Sequence, residues 1–202
     1  NNANSISELV SNASRIGFKG DLEAGNILSV IYQLEYEVDP VDGTADESKG
    51  RSFKQRNSFV GLKGSYGTLF LGTHDTAFKK SQAKIDLFND LASDIKNILH
   101  GENRMKDFVG FTTPTSESGF STTFNAIRGT EDFNNNKLGD YLSYSLNYSG
   151  ENLYAAIALD SDVKGYDSTR YSISGGISTT FLPSSVASPL LYEAKYQYLI
   201  HI

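Results

Sequence analysis

Asp86, Asp90 and Asp94 recur every four residues, with Glu102 a short way beyond. On a helix this spacing brings the three aspartates onto one face. Such a ladder could hold a divalent cation with Glu102, or present a charged wall to passing ions. Calcium loops set their oxygen ligands at alternating positions closed by a glutamate, and steps of four lack that pattern. A solvated, charged face accounts for the series better. Nucleophilic catalysis needs a hydroxyl beside an oriented base, and His74 with Asp75 and Ser81 is the nearest approach to one. No serine, however, stands in a recognisable nucleophile turn. Cysteine is absent, which removes thiolate chemistry, disulfides and His/Cys zinc sites. The expectation is a protein that is not an enzyme, with no catalytic residue, metal or cofactor.

The acidic series sits in residues 73–104, the one sizeable segment with a helical pattern. Ile85, Phe88, Leu91, Ile95, Ile98 and Leu99 recur at three- and four-residue steps and predict an apolar helical stripe beside the aspartates. Lys79, Lys80 and Lys84 precede them. Elsewhere the chain alternates with period two. Leu28, Val30, Tyr32, Leu34 and Tyr36 share one face of a strand, opposite Ser29, Gln33, Glu35 and Glu37. Leu142, Tyr144, Leu146 and Tyr148 alternate with Ser143, Ser145, Asn147 and Ser149. Ten strands are predicted: 15–20, 26–37, 53–64, 66–73, 105–112, 120–128, 141–149, 153–160, 170–180 and 190–202.

Composition agrees with an all-β chain. Of 202 residues 12 are Tyr, 12 Phe and 18 Gly, with 4 Pro and no Trp, and aromatic residues suit a pleated surface. A net charge of −6 argues against nucleic acid as a partner, since that wants a basic patch. No apolar run approaches the length of a transmembrane helix, but a transmembrane strand needs only about 9–11 alternating residues. No leader opens the sequence, which reads as a processed or trimmed product.

The linkers after the odd-numbered strands are mostly tight turns, and those after the even-numbered strands are longer and more polar. The eighth, residues 160–168, is among the long ones. This asymmetry fits a barrel standing in an outer membrane. Period-two alternation alone also fits a soluble sandwich, which buries its apolar face instead. Tyr36, Tyr66 and Tyr148 at strand edges, small residues on the polar faces and one long insertion favour the barrel.

Four pieces in order resemble the Gram-negative general porin family, closest to its neisserial-type and gammaproteobacterial branches. They are SRIGFKGDLEAGN, RSFKQRNSFVGLKGSYGTLFLGTHDTAFKKS, KIDLFNDLASDIKNILHGENR and VGFTTPT followed by GF. The resemblance spans about residues 11–120. It implies a transmembrane antiparallel β-barrel of sixteen strands, assembled as a homotrimer in the outer membrane, passing ions and small hydrophilic solutes. It also implies contact with outer-membrane lipid and lipopolysaccharide. About ten of the sixteen strands fall in this segment, so residues 1–202 read as one partial barrel domain. In that family a long external loop folds inward and narrows the pore. By position this constriction loop is residues 73–103, carrying a short helix. Asp86, Asp90, Asp94 and Glu102 are its acidic candidates. Arg15, Lys19, Arg56, Arg104 and Arg128 are the basic wall candidates. Two departures stand out: no strand precedes SRIGFKG, and the sequence stops at His201 and Ile202 without the family's terminal aromatic residue. Ion preference leans to cations on net charge alone. A substrate-specific channel, a surface receptor or adhesin on the same barrel, and a soluble β-sandwich binding protein are the alternatives.

Overall fold

The computed structural model describes residues 9–83, 85–87, 90–91, 93–129, 137–178 and 193–201, with side chains described as far as residue 175. Ten strands form one antiparallel sheet in which each pairs with the next along the chain. They are β1 (Arg15–Glu23), β2 (Leu28–Val38), β3 (Phe53–Gly64), β4 (Gly67–Asp75), β5 (Arg104–Thr112), β6 (Phe120–Arg128), β7 (Leu138–Ser149), β8 (Leu153–Val163), β9 (Tyr166–Ser178) and β10 (Glu193–His201). All ten predicted strands are present, and most ends fall within a few residues of expectation.

The faces of this sheet are reversed relative to a soluble protein. Leu34, Val60, Leu71, Phe124, Tyr144, Leu146, Leu159 and Ile173 are exposed on one face. Register makes them a continuous band, with Phe111 opposite Phe124, Phe124 opposite Tyr144, and Tyr144 opposite Leu159. The opposite face buries Thr123, Asn125, Ser143, Ser145, Ser168, Arg170 and Ser172. A sandwich would bury the first set and wet the second. An outward apolar band with a polar interior is the arrangement of a barrel wall in lipid. Aromatic rings mark both margins of the band. Tyr66, 90% exposed, and the Phe120–Tyr148 pair at 5.1 Å stand at the short-turn end; Tyr36 and Phe53 meet edge to face at 6.0 Å at the other.

A small apolar cluster sits on the inward face, formed by Phe70, Met105, Phe108, Ile127, Tyr141 and Val163, with Phe59 against it. Phe70 and Phe108 stack at 5.5 Å. Gly110, on β5 opposite Phe70, is where a Cβ would meet both rings at 2.5 Å, so the stack needs glycine there.

Two expectations are corrected. The eighth linker is not a long loop: β8 and β9 run on to a tight turn at residues 164–165, where Lys164 and Gly165 both take positive φ. The helical stripe of residues 85–99 does not form. An α-helix, α1 (Ala77–Lys80), is followed, among the described residues, by turns and a 3-10 turn at Ile95–Asn97. Ala83 and Asp90 have φ of 51° and 63°, which no right-handed helix accommodates. Ile85 is buried, but Leu91 and Ile98 are exposed. Phe88 and Lys84 lie outside the described residues, as do most of the predicted loop at 131–137 and all of the predicted turn at 181–189.

Candidate functional site

Residues 76–103 connect β4 to β5 and cross to the inner wall formed by β6, β7, β8 and β9. The sequence of α1 explains little of its stability, since one turn of helix is marginal in water. Its first N–H groups have no partners within the helix and need them elsewhere. Thr76 caps Lys79 N–H from within the loop at 3.1 Å. The wall supplies the rest. Ala77 N–H donates to Asn125 Oδ1 of β6 at 2.5 Å, and Phe78 N–H to Ser143 Oγ of β7 at 3.0 Å. Tyr154 of β8 donates its hydroxyl to Ser81 O at 2.8 Å. Arg170 of β9 donates to Phe78 O at 3.3 Å and lays its guanidinium over the Phe78 ring, 4.4 Å from the centroid. It also pairs with Glu102, on the returning limb, at 2.8 Å. Phe78, Ala77, Thr76 and Arg170 are wholly buried. Gly101, at φ 96°, completes the seat, because a Cβ there would press to 2.3 Å on Phe78.

Burial pushes the Glu102 carboxyl above its ordinary range, and the Arg170 guanidinium opposes this. Glu102 is therefore an anchor in the wall, with its side chain 6% exposed. Asp94 is likewise buried. It accepts N–H bonds from Lys96 at 2.8 Å and Asp90 at 2.7 Å, and pairs with the Lys96 ammonium at 2.9 Å. Burial alone would raise its carboxyl, but these donors hold it below the usual carboxylate range. Asp86 accepts from Ile95 N–H at 3.4 Å. Asp86 and Asp94 thus serve backbone donors in a loop, a competition with helix that aspartate is suited to.

Asp90 reaches across to the opposite wall, where Arg15 of β1 donates to it at 2.5 Å. Arg56 of β3 is held between Glu35 at 3.0 Å and Glu37 at 2.6 Å. Arg104, at the start of β5, binds Asp75 at 3.1 Å and Asn57 at 2.7 Å, and Lys79 reaches the same Asp75 at 3.3 Å. Between loop and wall lies a gap of about 440 Å³. Lys54, Arg56, Lys79, Lys96 and Arg104 line it together with Glu37, Asp90, Asp94 and Glu102. Both sides carry both signs, so the acids are not all on the loop nor the bases all on the wall.

Of the basic candidates, the structure brings Arg15, Arg56 and Arg104 to this region. Lys19 is inward-facing but lies toward the short-turn end, beside Asp21, Gln33 and Lys63. Arg128 is exposed at the end of β6 and pairs with Asp107 at 3.5 Å, away from the loop. His74 and Ser81 are not brought together: His74 is ringed by Phe59, Phe70 and Phe108, and the Ser81 hydroxyl donates to Phe78 O. Among the described residues no three His, Asp or Glu side chains converge as metal ligands.

Sequence reading missed Arg170, Asn125 and Ser143. A signal was available for the first. Arg170 lies between Ser168 and Ser172 on the polar parity of β9, opposite to Tyr171 and Ile173. Nothing local marks Asn125 or Ser143 among the many small polar residues of the inner face.

The Gram-negative porin family profile matches residues 1–187. The chain is 27% identical over 157 residues to major outer membrane protein P.IB of Neisseria gonorrhoeae, covering 75% of this chain and 42% of that protein. It is 36% identical over 111 residues to major outer membrane protein P.IA of Neisseria meningitidis serogroup C, covering 54% and 27%. The chain spans less than half the length of these relatives. Among solved structures, an anion-selective porin from Comamonas acidovorans superposes with a TM-score of 0.54 at 24% identity, over 82% of this chain and 54% of that one, a likeness of fold.

Proposed function

The chain is a member of the Gram-negative porin family, an outer-membrane β-barrel, and from that premise we propose that the complete protein is a water-filled channel for passive diffusion of ions and small hydrophilic solutes. The observation that carries this is the reversed sheet: an apolar band outside, hydroxyls and charges inside, and a loop seated against the inner face. Residues 76–103 form the constriction, and its filter is the charged gap where Asp90 meets Arg15 and where Arg56, Arg104 and Lys96 gather. Transport of this kind needs no turnover and no cofactor. Opposed charges across a narrow gap orient dipolar solutes and make apolar ones displace ordered water, so selection follows charge and size. The near balance of acids and bases lining the gap gives a weak ion preference, weaker than the net charge of −6 suggests.

The complete protein works as a homotrimer, with outer-membrane lipid and lipopolysaccharide around its apolar band. A substrate-specific channel would offer aromatic rings to the solute. Here the inward Phe70 and Phe108 are packed away beneath other side chains, 5% and 2% exposed, which favours general diffusion. The experiment is planar-bilayer conductance of the folded, detergent-purified full-length protein with a salt gradient across the bilayer. Openings in groups of three with a reversal potential near zero are expected. Folded protein that inserts and stays silent overturns the reading.

A further inference from the structure

A second cavity, about 220 Å³, opens at the long-loop end where the returning limb meets the turn between β8 and β9. It lies apart from the charged gap, and the inference drawn from it goes beyond the channel reading. Asp160 lines this cavity and is 4% exposed. Neither of its carboxylate oxygens accepts a hydrogen bond of good geometry, although the Ser143 hydroxyl and the Arg170 guanidinium both act on it. Ser143 and Ser168 stand opposite it on the flanking strands, and the Arg170 guanidinium pairs through Nη1 with Glu102 at 2.8 Å while its Nε and Nη2 have no hydrogen-bond partner. A buried carboxylate left with bare lone pairs costs far more than one that is paired, so such a group calls for an occupant that brings donors.

The remaining lining says what kind of occupant. Ser168 and Asn103 add polar groups beside Asp160, and one flank is a flat aromatic wall in which the His100 and Tyr166 rings stack at 5.0 Å and 16°. A divalent metal would want several more oxygens or a converging imidazole and carboxylate, and no such trio is present among the described residues. A primary ammonium carries three N–H donors and one positive charge, and its alkyl part tolerates contact with a ring face. We propose that this cavity is a binding site for a small primary ammonium cation, with Asp160 as its charge partner, Ser168 as a second acceptor and the His100–Tyr166 stack covering its carbon end. Because His100 and Asn103 belong to the loop and Asp160 to the wall, an occupant ties the returning limb to the barrel.

The test is saturation-transfer NMR with methylammonium on the folded, detergent-solubilised full-length protein at fixed ionic strength, folding being checked by circular dichroism. Saturable binding is expected, weakened about tenfold or more in Asp160→Asn through loss of a charge-assisted hydrogen bond. It should be weakened less in Ser168→Ala and unchanged in Lys63→Met, at the short-turn end. Tetramethylammonium, which has no N–H donor, should not compete. If Asp160→Asn fails to fold, the Ser168→Ala comparison decides. Absence of saturable binding, or equal binding in the folded variants, overturns the proposal and leaves water as the occupant. Binding that emerges only in Lys164→Met overturns it in favour of the chain's own lysine, whose residue also lines the cavity. Displacement by calcium in preference to methylammonium overturns it in favour of a metal.

Discussion

Residues 76–81 and residues 85–98 belong to one loop, yet the barrel holds them by different physics. The first segment enters the wall. Its backbone donors end on Asn125 and Ser143, its aromatic ring lies under a guanidinium, and Thr76, Ala77 and Phe78 have no exposure to solvent. Among the described residues the second segment bonds to itself through Asp94 and Asp86, and meets the far wall through the partly exposed pair of Asp90 and Arg15. A buried polar network is strong when every member is satisfied and costly when one is removed. An exposed ion pair contributes little to stability but still shapes the local field. On the proposed channel reading the loop divides its duties: its root fixes where the constriction is, and its tip sets what charge a passing solute meets.

Removing Arg170 tests the root most severely. Arg170→Met leaves Glu102 buried without its cation and Phe78 O without a donor. A loss of about 3–5 kcal/mol is expected, read as a lower thermal unfolding midpoint, together with a larger and noisier single-channel conductance. Ser143→Ala orphans one N–H of α1 and should cost about 1–3 kcal/mol in the same unfolding measurement, with ion preference unchanged.

At the tip, pH is the sharper probe. Asp94 titrates lower in the folded loop than in an unfolded one. Its stabilising contribution is thus complete above the ordinary carboxylate pKa and is lost as pH falls through the lowered folded value. Current noise should rise as acid passes through that window, and Asp94→Asn should show the noise already at neutral pH. Unaltered noise across the window would mean that Asp94 does not hold the tip. The smallest stability effect belongs to Arg15→Gln, within about 1 kcal/mol for a pair this exposed. Its reversal potential should nonetheless move toward cations. If Arg15→Gln destabilised the protein as much as Arg170→Met, the division between root and tip would fail.

The strands were legible because their rule is local. Leu142, Tyr144 and Leu146 alternate with Ser143, Ser145 and Asn147 whatever the rest of the chain does, and each strand obeys the same pleat. The sidedness was legible only as a preference, since alternation looks alike in lipid and in water; the exposure of Phe124 and Leu146 beside the burial of Ser143 and Ser145 decides it. The loop was the hard part. Four-residue spacing of Asp86, Asp90 and Asp94 mimics a helical face, but short acidic side chains also bind backbone N–H groups, and here Asp86 and Asp94 take that second use. Glu102 reads as one more pore acid until its partner is known, and that partner, Arg170, is far away in the sequence. The extension of β8 and β9 was hidden by the polar run from Asp160 to Ser168, which on an inward or rim-facing strand end is no sign of a loop.

The seat of α1 also fixes an order of events. Phe78 is bonded to Ser143, 65 residues later, and to Arg170, 92 residues later. Contacts of such separation form late, after the intervening chain has been arranged. The strands β6 to β9 must therefore stand side by side before the loop has anywhere to settle. Until then the nascent wall encloses a wide, unobstructed interior, and narrowing of the passage is the closing act of folding rather than its nucleus.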